Sequence, residues 1–215
     1  MTSNSSASLT SLTLVGFADA LAARTPTPGG GSLAAFMVAG AAATVSMAAR
    51  FTSGDKYAAV ADAMASRAAA LDALRTRALA LVDADSAAYD RVTAAFGLPK
   101  ATDAEKAART AAVQAGLKGA LEVPFETMEV ALAVLRLARD AAPAVNPNLA
   151  SDCGSGVHAA LAGLESALAN VRINAGSIKD ADYVAARSAA AEAMRREARE
   201  CAEAARSALA PHIGG

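Results

Sequence analysis

Asp85 is the ionisable residue whose neighbours in the sequence most clearly indicate chemistry. It fills a gap in a helical series of apolar residues, three positions after Val82 and four before Tyr89. That spacing places the three side chains on one helix face, so the carboxylate is predicted to lie among apolar groups. Such a carboxylate is either structural, paired with a cation or a backbone N–H, or functional. The functional alternative is a base or a ligand contact, with the Tyr89 hydroxyl one turn away.

A second candidate region is the segment Pro26–Ser32, in which two prolines precede three consecutive glycines and a serine. Proline restricts the path of the chain, and glycine lets the backbone approach a ligand closely. Ser32 is predicted to cap the following helix, which leaves other N–H groups of its first turn free to face a ligand. We therefore expect Gly29, Gly30, Gly31 and Ser32 to contact a ligand.

Further polar residues stand at helix breaks or share a helix face. Lys56 and Lys100 each follow a break, where they are either solvated or bind an anionic group. Asp152 lies at a predicted helix start, where we expect an N-cap first and a ligand contact as the alternative. Asn170 and Asn174 lie four residues apart, which favours amide hydrogen bonds to a neighbouring helix or to a heterocycle. No spacing resembles a metal site, so no metal is expected.

The composition favours some classes of protein and disfavours others. Hydrophobic residues make up 54% of the 215, aromatic residues only 4%, and Trp is absent, so we expect oligomerisation to bury further surface. A net charge of −1 gives no electrostatic reason to expect binding to nucleic acid or to an anionic membrane. Two cysteines and no basic, apolar leader at the N-terminus favour a protein of the reducing cytoplasm.

The elements that must position these residues are predicted to be helices only, giving an all-α bundle of about six. A central Ala-rich helix begins near Leu33 and has no charged residue before Arg50, so it should be buried on all sides. Its polar, Gly-containing flanks favour a bundle core over a membrane span. The other helices are predicted at 10–24, 56–96, 103–140, 151–175 and 180–210. Residues 1–9 are expected to be a flexible leader, and residues 10–215 one domain.

Five segments, in this order, resemble the formiminotransferase-cyclodeaminase C-terminal domain family, whose free-standing relatives are methenyltetrahydrofolate cyclohydrolases. The resemblance extends from about Leu12 to Asp180. The segments are PTPGGGS at 26–32 followed by the GDKY break at 54–57, DADSAAY at 83–89, GLPK at 97–100, NLASDCG at 148–154 and NVRIN at 170–174.

The resemblance implies an all-α fold, a homodimer or higher assembly, a tetrahydrofolate derivative as ligand, and no metal or redox cofactor. It implies that Asp85 is the catalytic residue. Folate has an anionic tail and a pterin ring rich in N–H groups. The substrate-binding positions are inferred from the matched motifs and from this chemistry. They are Gly29, Gly30, Gly31, Ser32, Lys56, Tyr57, Tyr89, Lys100, Asp152, Asn170 and Asn174.

Three functions remain open from the sequence. The first is a cyclohydrolase, expected because the 215 residues contain no segment resembling a formiminotransferase domain. The second is a cyclodeaminase, which releases ammonia from formiminotetrahydrofolate. The third is a divergent binding module, since only Asp55 and Lys56 separate Gly54 from Tyr57 where the family usually has three residues, and Cys153 replaces the usual Ala.

Overall fold

The computed structural model describes residues 8–214, which form six α-helices and no β-strand. The helices are α1 (Leu14–Ala22), α2 (Gly30–Arg50), α3 (Ala61–Phe96), α4 (Asp103–Ala141), α5 (Ala150–Ala175) and α6 (Ala181–Ile213). Short 3₁₀ turns occur at Leu9–Ser11, Asp55–Tyr57, Ala142–Ala144 and Pro147–Leu149. The all-α prediction is confirmed. Residues 1–7 of the predicted leader lie outside the described residues.

Helix α2 is the centre of the bundle, packed between α3 and α5 and also touching α4. Most of its residues are buried, including nearly every Ala. With 21 residues and a mean hydropathy of 1.7, it is the one described helix long and apolar enough to cross a membrane. Packing by three neighbouring helices of the same chain accounts for most of this composition. The prediction of burial on all sides is wrong, however, because Leu33 and Gly40 are exposed and Met37, Thr44 and Met47 are only half-buried.

Glycines on α5 allow the close packing of α5 against α2. A Cβ atom at Gly163 would lie 2.7 Å from Val38 Cγ2 and 3.0 Å from the Ala34 carbonyl oxygen. A Cβ atom at Gly156 would lie 2.6 Å from Val45 Cγ2. These distances are shorter than ordinary van der Waals contacts, so the two helices can approach this closely only without side chains here. The two helices run antiparallel, since the earlier glycine of α5 meets the later part of α2.

Two predicted N-caps are wrong. Helix α2 begins at Gly30 with Gly29 as its N-cap, so Ser32 is the third helical residue and not the cap. Helix α5 begins at Ala150 with Leu149 as its N-cap, so Asp152 lies within the first turn and does not cap the helix. For α2 the reason is tertiary, because a side chain from α3 satisfies a first-turn N–H group, as described below.

The predicted third helix was also too long at its start, because residues 55–57 form a separate 3₁₀ turn and α3 begins at Ala61. The start of α4 agrees with the prediction, since Thr102 and Glu105 form a capping box. Pro124 lies inside α4, and the helix continues through it.

Helix α6 is the outer helix, and its charged side forms ion pairs with neighbouring helices. Glu165 of α5 accepts hydrogen bonds from Arg195 and Arg199, at 2.9 to 3.1 Å. Arg136 of α4 binds Glu197 through two hydrogen bonds of 2.6 and 2.7 Å. The charged face of α6 therefore pairs with α4 and α5, while its Ala-rich face enters the core.

Candidate functional site

A cleft of about 330 Å³ lies where the glycine loop meets α3, α4 and α5. It brings together residues that are far apart in the sequence, and its other walls are mainly apolar. The predicted site residues that line it are Gly29, Gly30, Gly31, Asp85, Tyr89, Asn170 and Asn174. The structure therefore unites seven of the twelve predicted site residues in one place.

Asp85 reaches the first turn of α2 from the neighbouring helix α3. Its Oδ2 atom accepts hydrogen bonds from the Ser32 backbone N–H at 2.9 Å and from the Ser32 hydroxyl at 3.1 Å. The N-cap residue Gly29 has no side chain to do this, so Asp85 caps α2 from outside the helix. The structural role expected of a carboxylate paired with a backbone N–H is thus present, but it uses only one oxygen.

The other oxygen of Asp85, Oδ1, lies against the backbone of Gly31 at the cleft wall. A Cβ atom built on Gly31 would overlap with Oδ1, so only glycine leaves room for the carboxylate in this position. Burial raises the pKa of the Asp85 carboxyl above its ordinary value, and the two hydrogen bonds from Ser32 offset part of this effect. A carboxylate with a raised pKa and one free oxygen at a cleft is suited to accept a proton.

Asn170 and Asn174 line the cleft, and their amide nitrogens are engaged by carbonyl groups of the chain. The amide nitrogen of Asn170 donates to the Ser166 carbonyl at 2.9 Å, and that of Asn174 donates to the Ala120 carbonyl at 2.8 Å. Since a carbonyl oxygen can only accept, the atom facing it must be the amide nitrogen. Each side chain is therefore left with its oxygen unengaged by other described residues. The predicted bond to a neighbouring helix is thus formed by Asn174, which reaches α4, whereas Asn170 bonds to its own helix.

Tyr89 lines the same cleft and is 45% exposed, but its hydroxyl forms no hydrogen bond with Asp85 or with any other described residue. The hydroxyl partner expected for Asp85 is instead Ser32. No Lys, Arg or His side chain belongs to the described lining of the cleft, which leaves Asp85 as its only charged group. Within residues 8–214 no three His, Cys, Asp or Glu side chains are grouped as metal ligands.

The structure does not bring Lys56, Tyr57 or Asp152 to this cleft. Helix α2 is about 30 Å long, and Lys56 and Tyr57 follow its far end. Asp152 lies at the start of α5, whereas Asn170 and Asn174 lie near its end. Because α2 and α5 are antiparallel, all three residues lie at the opposite end of the bundle. Lys100 is exposed in the α3–α4 connection, beyond the end of α3 and outside the cleft.

The role of Asp83 is structural and was not predicted from the sequence. Its carboxylate accepts hydrogen bonds from the Ser8 hydroxyl and the Leu9 N–H, both at 2.6 Å, so it fixes the first described residues to α3. Cys153 is fully buried, and burial raises the pKa of its thiol to about 11. That thiol stays protonated at neutral pH, which does not favour nucleophilic chemistry.

Comparison with known proteins agrees with this arrangement. A sequence model of the formiminotransferase-cyclodeaminase family matches residues 13–193, most of the chain. The chain belongs to this family. The match contains every residue of the cleft, from Pro26 in the glycine loop to Asn174 near the end of α5.

Several members of the family are similar to this chain. The methenyltetrahydrofolate cyclohydrolase of Methylorubrum extorquens is 40% identical over 187 residues, which cover 86% of this chain and 90% of that protein. The formimidoyltransferase-cyclodeaminase of Rattus norvegicus is 33% identical over 174 residues, which are 80% of this chain but 32% of the rat protein.

A solved structure shares the fold. The crystal structure of a formiminotetrahydrofolate cyclodeaminase from Thermotoga maritima superposes with a TM-score of 0.85 at 27% sequence identity. The superposition covers 94% of this chain and 98% of that one. The six-helix bundle described here is therefore the fold of that member of the family.

Proposed function

We propose that this protein is a methenyltetrahydrofolate cyclohydrolase, which adds water to 5,10-methenyltetrahydrofolate and yields 10-formyltetrahydrofolate. The observation on which the proposal rests is Asp85, a carboxylate with a raised pKa that faces a cleft without cationic side chains. The methenyl group is a cationic amidinium, which a lone carboxylate stabilises electrostatically. Similarity to the Methylorubrum cyclohydrolase over 90% of that protein supports the same assignment.

In the proposed reaction, water attacks the carbon between N5 and N10 while Asp85 accepts one of its protons. The product of this step is a neutral tetrahedral carbinolamine. Asp85 then donates that proton to N5 as the bond between carbon and N5 breaks, and the hydroxyl proton is released as the formyl C=O forms. One proton of the water therefore ends on N5 and the other is released. A base with a pKa raised toward neutrality suits both transfers.

The amide oxygens of the cleft are proposed to bind the pterin. A pterin carries several N–H donors, and Asn170 and Asn174 each have an acceptor oxygen that no other described residue engages. The backbone of Gly29, Gly30 and Gly31 forms the opposite wall, where the lack of side chains lets a flat ring approach. Tyr89, half exposed at the same cleft, is proposed to contact the ring with its face.

We propose that the protein is a homodimer in which α2 packs against α2 of a second copy. One face of α2 remains outside the bundle and consists of apolar and small residues at spacings of 4, 3, 4, 3 and 4. This face, called the α2 stripe, comprises Leu33, Met37, Gly40, Thr44, Met47 and Phe51, all exposed or half-buried. The Thr44 hydroxyl donates to carbonyls of its own helix, so the α2 stripe presents no unpaired polar side chain. Such a pattern is typical of a helix–helix interface.

Gly40 lies at the middle of the α2 stripe, and a Cβ atom there would contact nothing in this chain. A two-fold axis near Gly40 pairs the two copies of α2 in antiparallel orientation. The far end of one α2 then lies beside the glycine loop of the other. This arrangement would bring Lys56 and Tyr57 of the partner subunit toward the cleft, where a cation for the anionic folate tail is otherwise missing. Lys100 is the candidate from the same chain.

The remaining expectations become part of the proposal. The chemistry proposed for Asp85 needs no metal and no redox cofactor, since water and one carboxylate are sufficient. Both cysteines are buried free thiols, which supports a reducing, cytoplasmic location. No ligand contact within the same chain is proposed for Asp152, because it lies at the end of the bundle opposite the cleft.

The test is the loss of methenyltetrahydrofolate absorbance on adding purified protein, compared with the uncatalysed rate. We expect acceleration by the wild type and a loss of at least about 100-fold in kcat for Asp85→Asn, since general acid–base catalysis contributes about 10² to 10⁴. Equal activity of Asp85→Asn would contradict the catalytic role. Acceleration of ammonia release from formiminotetrahydrofolate, with methenyltetrahydrofolate inert, would instead favour the cyclodeaminase activity named for the Thermotoga relative.

A further inference from the structure

The side chain of Ser32 does not line the cleft, although the sequence predicted a ligand contact. Ser32 is fully buried, behind the carboxylate of Asp85. Its hydroxyl lies 3.0 Å from the Val82 carbonyl oxygen and 3.1 Å from Asp85 Oδ2. Its backbone N–H donates to the same Oδ2 at 2.9 Å. The N–H and the hydroxyl of Ser32 therefore both contact a single oxygen of Asp85, and the hydroxyl also contacts the carbonyl of Val82, one turn earlier in α3.

The two oxygens of Asp85 consequently have different surroundings. Oδ2 receives two donors from Ser32, whereas Oδ1 receives no hydrogen bond from the rest of residues 8–214 and lies over Gly31. If the carboxyl group is protonated on Oδ1, then Oδ2 remains a carbonyl oxygen and keeps both donors. Protonation on Oδ2 would leave the donor-only Ser32 N–H facing a hydroxyl oxygen, which is a weaker acceptor, and would turn the Ser32 hydroxyl wholly toward the Val82 carbonyl. The hydrogen-bond pattern therefore favours Oδ1 as the site of protonation.

We propose that Ser32 is a positioning residue that holds Oδ2 of Asp85 and thereby makes Oδ1 the oxygen that exchanges protons with the substrate and water. The inference rests on the proposed function, since it assigns a reacting atom within that hydrolysis. Gly31 serves the same end, because its missing side chain leaves the space in which Oδ1 lies. Ser32 thus acts through Asp85 and does not touch the reacting atoms.

The first test compares the pH profiles of kcat for the wild type and Ser32→Ala. The variant keeps the backbone N–H but loses the hydroxyl that stabilises the ionised carboxylate. We expect the acid limb of kcat to move upward by roughly one pH unit, because a hydrogen bond to the charged form lowers a pKa. KM is expected to change little. Ser86→Ala is the matched control, because the Ser86 hydroxyl adjoins Asp85 in sequence but is buried without a partner among the described residues.

An unchanged acid limb in Ser32→Ala would overturn the inference, and so would a change confined to KM, which would make Ser32 a substrate contact. A second variant, Gly31→Ala, places a methyl group where Oδ1 lies. We expect its kcat to fall about 100-fold with circular dichroism unchanged, since a displacement near 1 Å at a reacting group costs about that much. Full activity of this variant would also contradict the assignment.

A measurement without substrate separates this inference from the proposed function. The carboxyl ¹³C resonance of Asp85, assigned by its absence in Asp85→Asn, is titrated in the wild type and in Ser32→Ala. A higher pKa in Ser32→Ala supports the inference even if neither folate is consumed, in which case only the proposed function fails. The same pKa in both proteins overturns the inference even if the enzyme is active.

Discussion

At the scale of single residues, burial of the Asp85 carboxylate lowers the stability of the folded protein at neutral pH. The proposed role of Asp85 as a base explains why such a residue is present. Its pKa in the folded protein is raised above the ordinary value of 3.8, mainly by burial, with hydrogen bonds from Ser32 opposing the change. The folded state therefore holds the proton more tightly than the unfolded state. The resulting stabilisation is complete below pH 3.8 and is lost as the pH rises through the folded pKa. At neutral pH the folded protein therefore contains a partly buried charge. Replacing Asp85 with a neutral residue would remove the cost of burying it.

We predict that Asp85→Asn melts at the same temperature as the wild type or higher at pH 7.5, while losing turnover. Asn keeps an acceptor for the Ser32 N–H and avoids the buried charge. Its advantage should shrink toward pH 4 in thermal melts followed by circular dichroism.

Asp72→Asn is a control of opposite sign for this pH dependence. The hydrogen bond from Arg50 holds the pKa of Asp72 below its usual value, so its contribution to stability is present at neutral pH and is lost as the pH falls through the folded pKa. Asp72→Asn should therefore lower the melting temperature at pH 7.5 and have less effect at low pH. For Asp85→Asn, a marked drop in melting temperature at pH 7.5 would contradict the prediction. It would show that capping of α2 by the Asp85 carboxylate stabilises the protein more than burial of its charge destabilises it.

At the scale of elements, the distance between α2 and α5 depends on residues without side chains. We predict that Gly163→Ala lowers the free energy of unfolding by about 1 to 3 kcal/mol, the usual cost of overpacking a core. The added methyl group would press on Val38 and on the Ala34 carbonyl, and backbone cannot move as a flexible side chain can. Urea denaturation measures the change.

The control at this scale is Gly119→Ala on α4, where a Cβ atom would meet nothing within 4 Å. Here the gain in helix propensity should stabilise the protein by about 0.5 to 1 kcal/mol. Equal effects of the two substitutions would mean that α5 can move away from α2 without cost. The positions of Asn170 and Asn174 relative to the glycine loop would then be less fixed than the packing implies.

At the scale of the whole molecule, the central helix has one face, the α2 stripe, that the described chain covers only in part. We predict that Gly40→Arg, which places a charged side chain at the middle of the α2 stripe, converts the proposed homodimer to monomers. Light scattering after size-exclusion chromatography measures the mass. A Cβ atom at position 40 would meet no described atom of the same chain within 4 Å, so the fold should be retained.

Ala193→Arg serves as the control, because Ala193 is exposed on the outer helix α6, away from the α2 stripe. It should leave the mass unchanged. A dimer that survives Gly40→Arg would place the interface elsewhere. A monomer that keeps full activity would show that the cleft needs no residue from a partner subunit, and Lys100 would become the favoured contact for the folate tail.

The helical class, the order of the helices and the faces they present can all be predicted from the amino-acid sequence. These follow from local spacing, since residues three and four apart share a helix face whatever lies beyond it. Asp85 could be singled out for this reason, because an acidic residue in an apolar series is visible without any tertiary information. Asn170 and Asn174 were recognised as a pair by the same rule.

Which of these faces meet depends on how the helices pack and could not be predicted. The antiparallel packing of α2 and α5 brings Asn170 and Asn174 to the glycine loop and sends Lys56 to the other end of the bundle, about 30 Å away. It also made Ser32 a partner of Asp85 instead of a cap, because the carboxylate that completes the first turn of α2 comes from another helix. Periodicity fixes the direction of a side chain around its own helix axis. It contains no information about which helix lies opposite, because that is set by how close two backbones can approach.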